Sequence, residues 1–341
     1  MKVLVATIGF GSGHNRAAEA AAQDFRTRYP EAEVRVVDFL NWDKGLWDKM
    51  SAWTYFTAIK YVPSAYHASY KFVAKVTSLH GVVFRSYVLK MKKYLDGFPA
   101  ELVISTHVFC AKAASTVKAE GGPVKEAWGV LTDFMDDRYW NTLKLDRFFV
   151  ASEELKAKLL SHGTTAGSVE VAPIPVRAEF HRRRDRALAC SMVHERLSPH
   201  TFTVLALGGG NGLGALSEIA AACADIPAQV IMVAGSNKPL KGSLDQLKRY
   251  NHRLLVFGYV DNIHDMMDAS DVCVTKPGGV TIAECMAKGL PIIIYGKPLP
   301  GPETENVEYL VRKKAATFCS TPEELRKDIL NRLAKHKAAG A

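Results

Sequence analysis

Nowhere in the 341 residues does an apolar run reach the roughly 18–20 residues that a membrane-spanning helix needs. The opening M-K-V-L-V-A-T-I is too short for the apolar stretch of a secretory leader, and no cleavage site follows it. It reads as a buried first strand, and the chain is expected to be soluble and cytoplasmic. No C-x-x-C pair occurs among the cysteines Cys110, Cys190, Cys223, Cys273, Cys285 and Cys319, so neither a zinc site nor a disulfide framework is indicated. Scattered among apolar neighbours, they are expected to be small core residues in a reducing compartment. No glycine loop carries the Lys-Ser/Thr that completes a P-loop, which argues against ATP hydrolysis. No D-x-D with metal-ligand surroundings closes a strand. Asp133, Asp136 and Asp137 in T-D-F-M-D-D come closest, and a structural or acceptor-facing place suits them better than a metal, so no metal site is expected. Internal repeats and low-complexity tracts are also lacking.

Acids are scarce in one place. Between Lys44 and Lys93 there are nine bases (Lys44, Lys49, Lys60, Lys71, Lys75, Arg85, Lys90, Lys92, Lys93) and a single acid, Asp48; this accounts for nearly all of the chain's net +9. Trp47, Trp53, Tyr55, Phe56, Tyr61, Tyr66, Tyr70, Phe72, Phe84 and Tyr87 are interleaved with them. Trp and Tyr settle at headgroup depth and Lys neutralises lipid phosphate, so the segment suits an anionic membrane surface. Nucleic acid competes for the same residue types through stacking and phosphate contacts. The plain alternative is a helical insertion with core aromatics and solvated lysines. Membrane contact through 44–93 is the expectation taken forward, and nucleic acid is not.

What the chain has in quantity is α/β alternation. Strand-like runs stand at Val3–Thr7, Val34–Val37, Leu102–Ser105, Ala127–Leu131 and Arg147–Val150, and again at Thr203–Leu207, Gln229–Val233, Leu254–Phe257, Val272–Val274 and Pro291–Ile294. Helical stretches between them imply βαβ units and parallel sheets. The two series meet around Pro173–Arg186, in P-I-P-V-R and H-R-R-R-D-R, which implies two similar α/β domains facing one cleft. From Pro322 a helix is expected, acidic early and basic late as the helix dipole favours.

Chemistry concentrates in glycine loops after strands. The run T-K-P-G-G-V-T-I-A-E (275–284) follows an apolar strand: adjacent glycines let backbone N–H groups approach a bulky anion, and the helix that begins there directs its positive end at it. Glu284, three residues after Thr281, is placed to accept hydrogen bonds from a ribose diol. A plain tight loop at Pro277–Gly279 is the alternative. G-G-G-N-G-L-G (208–214) repeats the device after Leu207. Near the start, G-F-G-S-G-H-N-R (9–16) leads into an alanine-rich helix. There His14 feels the positive end of the dipole, which favours a neutral base near pH 7. A structural histidine remains the alternative, and the loop lacks the full G-x-G-x-x-G dinucleotide spacing.

In order and in register, these motifs resemble the lipid-linked branch of glycosyltransferase family 28, the monogalactosyldiacylglycerol synthases and processive diacylglycerol glucosyltransferases. The resemblance runs over almost the whole chain. It rests on G-F-G-S-G-H-N-R-A-A-E-A, V-L-T-D-F, D-R-F-F-V-A-S-E-E-L-K, P-I-P-V-R, L-G-G-G-N-G-L-G, F-G-Y-V-D-N-I-H-D-M-M, A-S-D-V-C-V-T-K-P-G-G-V-T-I-A-E and P-G-P-E-T-E-N-V-E-Y-L.

The resemblance implies a GT-B fold: α/β, with two Rossmann-like domains whose parallel sheets face a central cleft. Residues 1–175 would bind acceptor and membrane; residues 176–341 would bind a UDP-sugar, with the last helix packing back on the first domain. Glu284 would take the ribose hydroxyls, Tyr259 and Val260 would frame the uracil with Arg177 nearby, and Gly210, Asn211, Gly279, Val280 and Thr281 would line the diphosphate. Glu303 and Asn306 would face the donor sugar. His14 would be the catalytic base, with Asp133 in the catalytic set and His107 on the acceptor side. The implied reaction is inverting hexose transfer from UDP-glucose or UDP-galactose to diacylglycerol or a glycosyl-diacylglycerol, on the inner face of the cell membrane, with no cofactor. A polyprenyl-linked peptidoglycan precursor is the rival acceptor, although the T-G-G-T-G-G-H run of those enzymes is missing. A UDP-sugar epimerase would share the architecture, and a UDP-sugar sensor without catalysis would share the donor pocket. The family's P-G-Q-E reads P-G-P-E here, with Pro302 in place of an amide that reads sugar hydroxyls.

Overall fold

The computed structural model describes residues 1–9, 12–42, 77–135, 139–212, 214–249, 251–299 and 301–339. Gly11, Asp136, Asp137, Leu213 and the 44–76 part of the basic, aromatic segment lie outside the described residues.

Two compact units emerge, Met1–Arg177 with Leu299–Pro302, and Ala178–Pro298 with Glu303–Ala341. The first holds a six-stranded sheet of β1 (Lys2–Thr7), β2 (Glu33–Asp38), β3 (Leu102–Ser105), β4 (Glu126–Val130), β5 (Arg147–Val150) and β6 (Val169–Val171). Its order is β2-β1-β3-β4-β5-β6, and every pairing is parallel. Alternate side chains leave β1 on opposite faces, as the pleat requires. Leu4 and Ala6 join a core with Met91, Ala114, Phe148 and Leu159, while Val3 and Val5 join Ala18, Ala22 and Phe25 on the other side. Both faces are covered, which explains why the parallel strands read as continuous apolar runs. Alanines at 17, 18, 20, 21 and 22 of the helix Ser12–Arg28 are buried, so small side chains set that helix close against the sheet.

The second unit repeats the plan with β7 (Thr203–Leu207), β8 (Gln229–Val233), β9 (Leu254–Phe257), β10 (Val272–Thr275), β11 (Ile292–Tyr295) and β12 (Thr317–Cys319), in the order β12-β11-β10-β7-β8-β9, again all parallel. Strand order reverses between β7 and β10. Leu207 pairs with Thr275 there, so the chain segments leaving those two strands start abreast. The helix Pro322–Ala339 packs on this sheet through Leu325, Ile329 and Leu333.

The arginine-rich stretch at the joint is stitched to the second unit. Arg184 Nε donates to Asp265 at 2.7 Å, and Arg186 grips Asp271 with both terminal nitrogens at 2.7 Å. Buried Lys288 pairs with the enclosed carboxylate of Asp268 at 2.5 Å and also donates to the Arg182 carbonyl. All six cysteines are free and buried; burial pushes the Cys223 thiol up to about 12.

Candidate active site

In the first unit, three strand ends converge on His14. The ring is on the first turn of the helix Ser12–Arg28, just after β1. Its Nδ1 lies 2.9 Å from the Thr106 carbonyl, beyond β3, and 3.1 Å from the Thr132 hydroxyl, beyond β4. A carbonyl only accepts, so Nδ1 carries the proton and Nε2 is left with a lone pair. Burial lowers the His14 pKa below the usual 6.5, partly countered by the Thr106 hydrogen bond, so the neutral ring prevails. His107 stands edge-on to it, ring centroids 5.0 Å apart. His107 Nδ1 accepts from the Phe109 N–H and caps the helix Val108–Ala119. Its pKa falls well below 6.5, first through burial and then through proximity to His14. Asp133 follows Thr132 directly, half-buried.

Asp38 holds the loop that presents His14. Its Oδ1 accepts from the N–H groups of Gly9 and Leu40, each at 3.0 Å, and its Oδ2 accepts from Asn15 Nδ2 at 3.1 Å. A Cβ at Gly9 would stand 2.6 Å from Asp38 Oδ2 and 2.8 Å from Asn15 Nδ2. A methyl there would have to push the Asp38 carboxylate and the Asn15 amide aside, and so loosen the contacts that hold the loop. Thr106 Oγ1 completes the bracket, donating to Thr7 Oγ1 at 2.9 Å.

In the second unit, the loop 208–214 and the turn Ala234–Asn237 pack backbone to backbone. The Gly210 carbonyl accepts from Ser236 N at 2.9 Å and Ser236 Oγ at 3.1 Å, and the Gly212 carbonyl accepts from Asn237 Nδ2 at 3.2 Å. Asn237 Oδ1 meanwhile caps the helix Lys238–Leu247 by accepting from Leu240 N. Gly212 (φ +59°) and Gly235 (φ +58°) are left-handed. A Cβ would stand 2.2 Å from the Ala234 carbonyl oxygen at the first and 2.3 Å from that of Gly210 at the second.

Next to this loop, the helix Gly279–Lys288 opens at the end of β10 with no side-chain cap, so its first N–H groups are available to an anion. Gly279 and Val280 are buried, Thr281 is partly exposed, and Glu284 is buried at 2 % exposure on the same helix. Asn306, fully buried, donates its amide to the Pro277 carbonyl at 3.2 Å and braces the turn before that helix. Glu303 pairs with Lys276 at 2.7 Å. The structure therefore groups Gly210, Asn211, Gly279, Val280, Thr281, Glu303 and Asn306 around the ends of β7 and β10. Tyr259, 57 % exposed, and Val260 follow the edge strand β9. Arg177 is the last residue of the first unit and so belongs to a different unit from that group.

Several contributors escaped the motif reading. Thr106, Thr132, Asp38 and Asn15 act on His14 or its loop, three of them from other strands. Gly235, Ser236 and Asn237 left a signal, since A-G-S-N after a strand combines a glycine turn with a helix-capping residue.

The family models agree along the chain. Residues 14–176 match "Monogalactosyldiacylglycerol (MGDG) synthase" and residues 203–339 match "Glycosyltransferase family 28 C-terminal domain". The chain is similar to the processive diacylglycerol beta-glucosyltransferases of Bacillus licheniformis, at 26% identity over 98% of this chain and 87% of that one, and of Bacillus cereus, at 30% over 95% and 83%. Among solved structures it is similar to Staphylococcus aureus MnaA with UDP, with a TM-score of 0.62, 10% identity, and coverage of 98% and 91%. At that identity the likeness shows the two-domain α/β fold alone. The family follows from the sequence: the chain belongs to the lipid branch of glycosyltransferase family 28, with the monogalactosyldiacylglycerol synthases and processive diacylglycerol glucosyltransferases.

Proposed function

We propose that the protein transfers a hexose from a UDP-sugar to diacylglycerol, or to a glycosyl-diacylglycerol, with inversion at the anomeric carbon. The observation that carries the chemistry is the 2.9 Å contact of His14 Nδ1 with the Thr106 carbonyl: an oxygen that only accepts commits the ring proton to Nδ1 and makes Nε2 the neutral base. In the reaction Nε2 takes the acceptor's hydroxyl proton as its oxygen bonds to the anomeric carbon. The bond from that carbon to the diphosphate oxygen breaks, and UDP leaves with the electron pair. Asp133 and His107 border the acceptor.

The second unit is the donor site. The loop amides of Gly210 and Asn211 and the N-terminus of the helix Gly279–Lys288 meet the diphosphate, the type of preorganised donor that stabilises a departing anion. Glu284 holds the ribose, Tyr259 and Val260 frame the base, Glu303 faces the sugar, and Asn306 braces the turn below it. No cofactor is assigned. UDP in the MnaA structure supports this class of donor, and the names of the Bacillus relatives support diacylglycerol and favour glucose.

The membrane face is assigned to the basic, aromatic segment. Its described part, the helix Thr77–Gly97, buries Tyr87, Met91 and Leu95 and exposes Arg85, Leu89, Lys92 and Lys93 on the other side. Among the described residues no helix is long and apolar enough to cross a membrane, so peripheral association with an anionic leaflet is the arrangement proposed. Incubation with labelled UDP-glucose or UDP-galactose and diacylglycerol vesicles, read by thin-layer chromatography, tests the whole. A labelled glycolipid is expected, and UDP release indifferent to diacylglycerol would refute the acceptor.

A further inference from the structure

The rings of His14, His107, Phe109 and Phe84 stand in a row within the first unit. His107 meets His14 edge-on at 5.0 Å between centroids, Phe109 meets His107 edge-on at 5.0 Å, and Phe84 meets Phe109 edge-on at 4.9 Å. His107 and Phe109 come from the cap and first turn of the helix Val108–Ala119, and Phe84 from the helix Thr77–Gly97 packed beside it. Tyr87, buried one turn after Phe84, backs Phe109 at 5.7 Å and fixes it from the protein side. Phe84, His107 and Phe109 are each partly exposed. The row therefore starts at the proposed base and ends on the helix assigned to the membrane, and each ring along it keeps some open surface.

These rings suit an apolar visitor. Edge-to-face contacts already hold them, so little side-chain freedom is lost when something lies on them. Burial keeps both imidazoles neutral, so no charge interrupts the row. In diacylglycerol the free hydroxyl is joined through the glycerol to two acyl chains. With that hydroxyl at His14 Nε2, a chain has to leave past the neighbouring groups. Every methylene left in water there is a cost that an apolar wall removes.

We propose that Phe109 and Phe84 form the acyl-chain wall of the acceptor site, leading one chain of diacylglycerol from the membrane helix to His14, with His107 closing the wall at the reacting end. The proposal rests on diacylglycerol as the acceptor. It adds a reason for choosing an amphiphile: binding energy comes from the chain, and the chain delivers the hydroxyl. A glycerol derivative without chains reaches the same base but gains nothing from the row.

Transfer to soluble diacetyl-, dibutyryl- and dihexanoylglycerol, each kept below micelle formation, isolates the wall from the membrane. A fully covered methylene contributes about fourfold in affinity, and one lying on a single wall about twofold. Each chain gains four methylenes from acetyl to hexanoyl, so wild-type kcat/KM should rise about 16-fold along the series. Phe109→Ser should flatten that rise to about fourfold or less, and Phe84→Ser should lower it by a smaller factor. Phe109→Leu, apolar but without a ring, should keep most of it. A merely structural role for Phe109 would instead lower all three acceptors by one factor. That result, a wild-type rate independent of chain length, or transfer confined to vesicles would overturn the wall. Absence of transfer to any diacylglycerol, vesicles included, would overturn the acceptor reading itself, and this proposal with it.

Discussion

The Thr106 carbonyl oxygen and His14 Nδ1 are 2.9 Å apart, a contact between the residue following one strand and the first turn of the helix after its neighbour. It assigns the ring's proton, and with it the atom that can act as a base. The carbonyl supplies what a carboxylate often supplies to a catalytic histidine, without adding charge. The ring therefore stays easy to deprotonate.

His14→Ala should cut turnover about 10²–10⁴-fold, the usual worth of a positioned general base. UDP affinity should be unchanged, since Glu284, Tyr259 and the two glycine segments belong to the other unit. Steady-state kinetics with parallel UDP titration check both, and near-normal turnover would remove His14 from the role.

Acid should affect rate and stability together. His14 and His107 both have pKa values below 6.5 in the folded chain, chiefly through burial. The acid limb of kcat should accordingly lie below pH 6.5. Between the unfolded value and the lowered folded values the unfolded chain binds more protons, so stability is lost as pH falls through that window. Thermal melts from pH 8 to pH 5 with and without His107→Gln should show it, the variant losing less Tm on acidification. A variant as acid-sensitive as wild type would contradict this.

Gly235→Ala should disable the donor side. The position is left-handed, and the new methyl would meet the carbonyl oxygens of Gly210 and Gly209 at 2.3 and 2.6 Å. Such a change destabilises by more than about 1 kcal/mol and displaces the 208–214 loop. Loss of UDP affinity exceeding any loss of melting temperature is the expected pattern; intact UDP binding would show that the turn does not set the loop.

Lys288→Met tests how the joint is anchored. The side chains of the lysine and Asp268 are each 1% exposed, so removal of one charge strands the other. A loss of about 3–5 kcal/mol in urea unfolding is expected, typical of breaking a buried pair from one side. A loss under about 1 kcal/mol would mean water reaches Asp268.

Arg85→Gln combined with Lys93→Gln should reduce binding to phosphatidylglycerol vesicles. Each charge near such a surface contributes about 1 kcal/mol, so the pair together is worth roughly 20–30-fold at low salt. Unaltered sedimentation with vesicles would take this helix out of membrane contact.

Ten of the twelve strands were legible because their runs are largely apolar, most of them buried on both faces, although the edge strand Glu33–Asp38 alternates buried and exposed positions. The exceptions, Val169–Val171 and Thr317–Cys319, are three-residue edge strands in which polar or exposed positions interrupt the run. Five of the ten have the same limits in sequence and structure, and the others differ by a residue at one or both ends. The glycine loops were legible as well, because glycine is required by geometry and leaves a letter behind. What orients His14 was not. A backbone carbonyl accepts a hydrogen bond whatever its side chain, so position 106 carries no signature of that contact. Asp38 was hidden for a related reason: it closes a strand remote in sequence from the loop it ties.

The bonds between the 208–214 loop and the Ala234–Asn237 turn have a directional consequence. With the Gly210 and Gly212 oxygens occupied by Ser236 and Asn237, this stretch of main chain has its electron-rich groups committed inward. The N–H groups of Gly208, Gly212 and Gly214 are bonded to the carbonyls of Val233, Gly209 and Gly208, so what the stretch can offer a visitor is the electron-poor side of its peptides at 209–211. Discrimination between an anion and a cation is in this way built into the path of the chain, before any residue's identity is consulted.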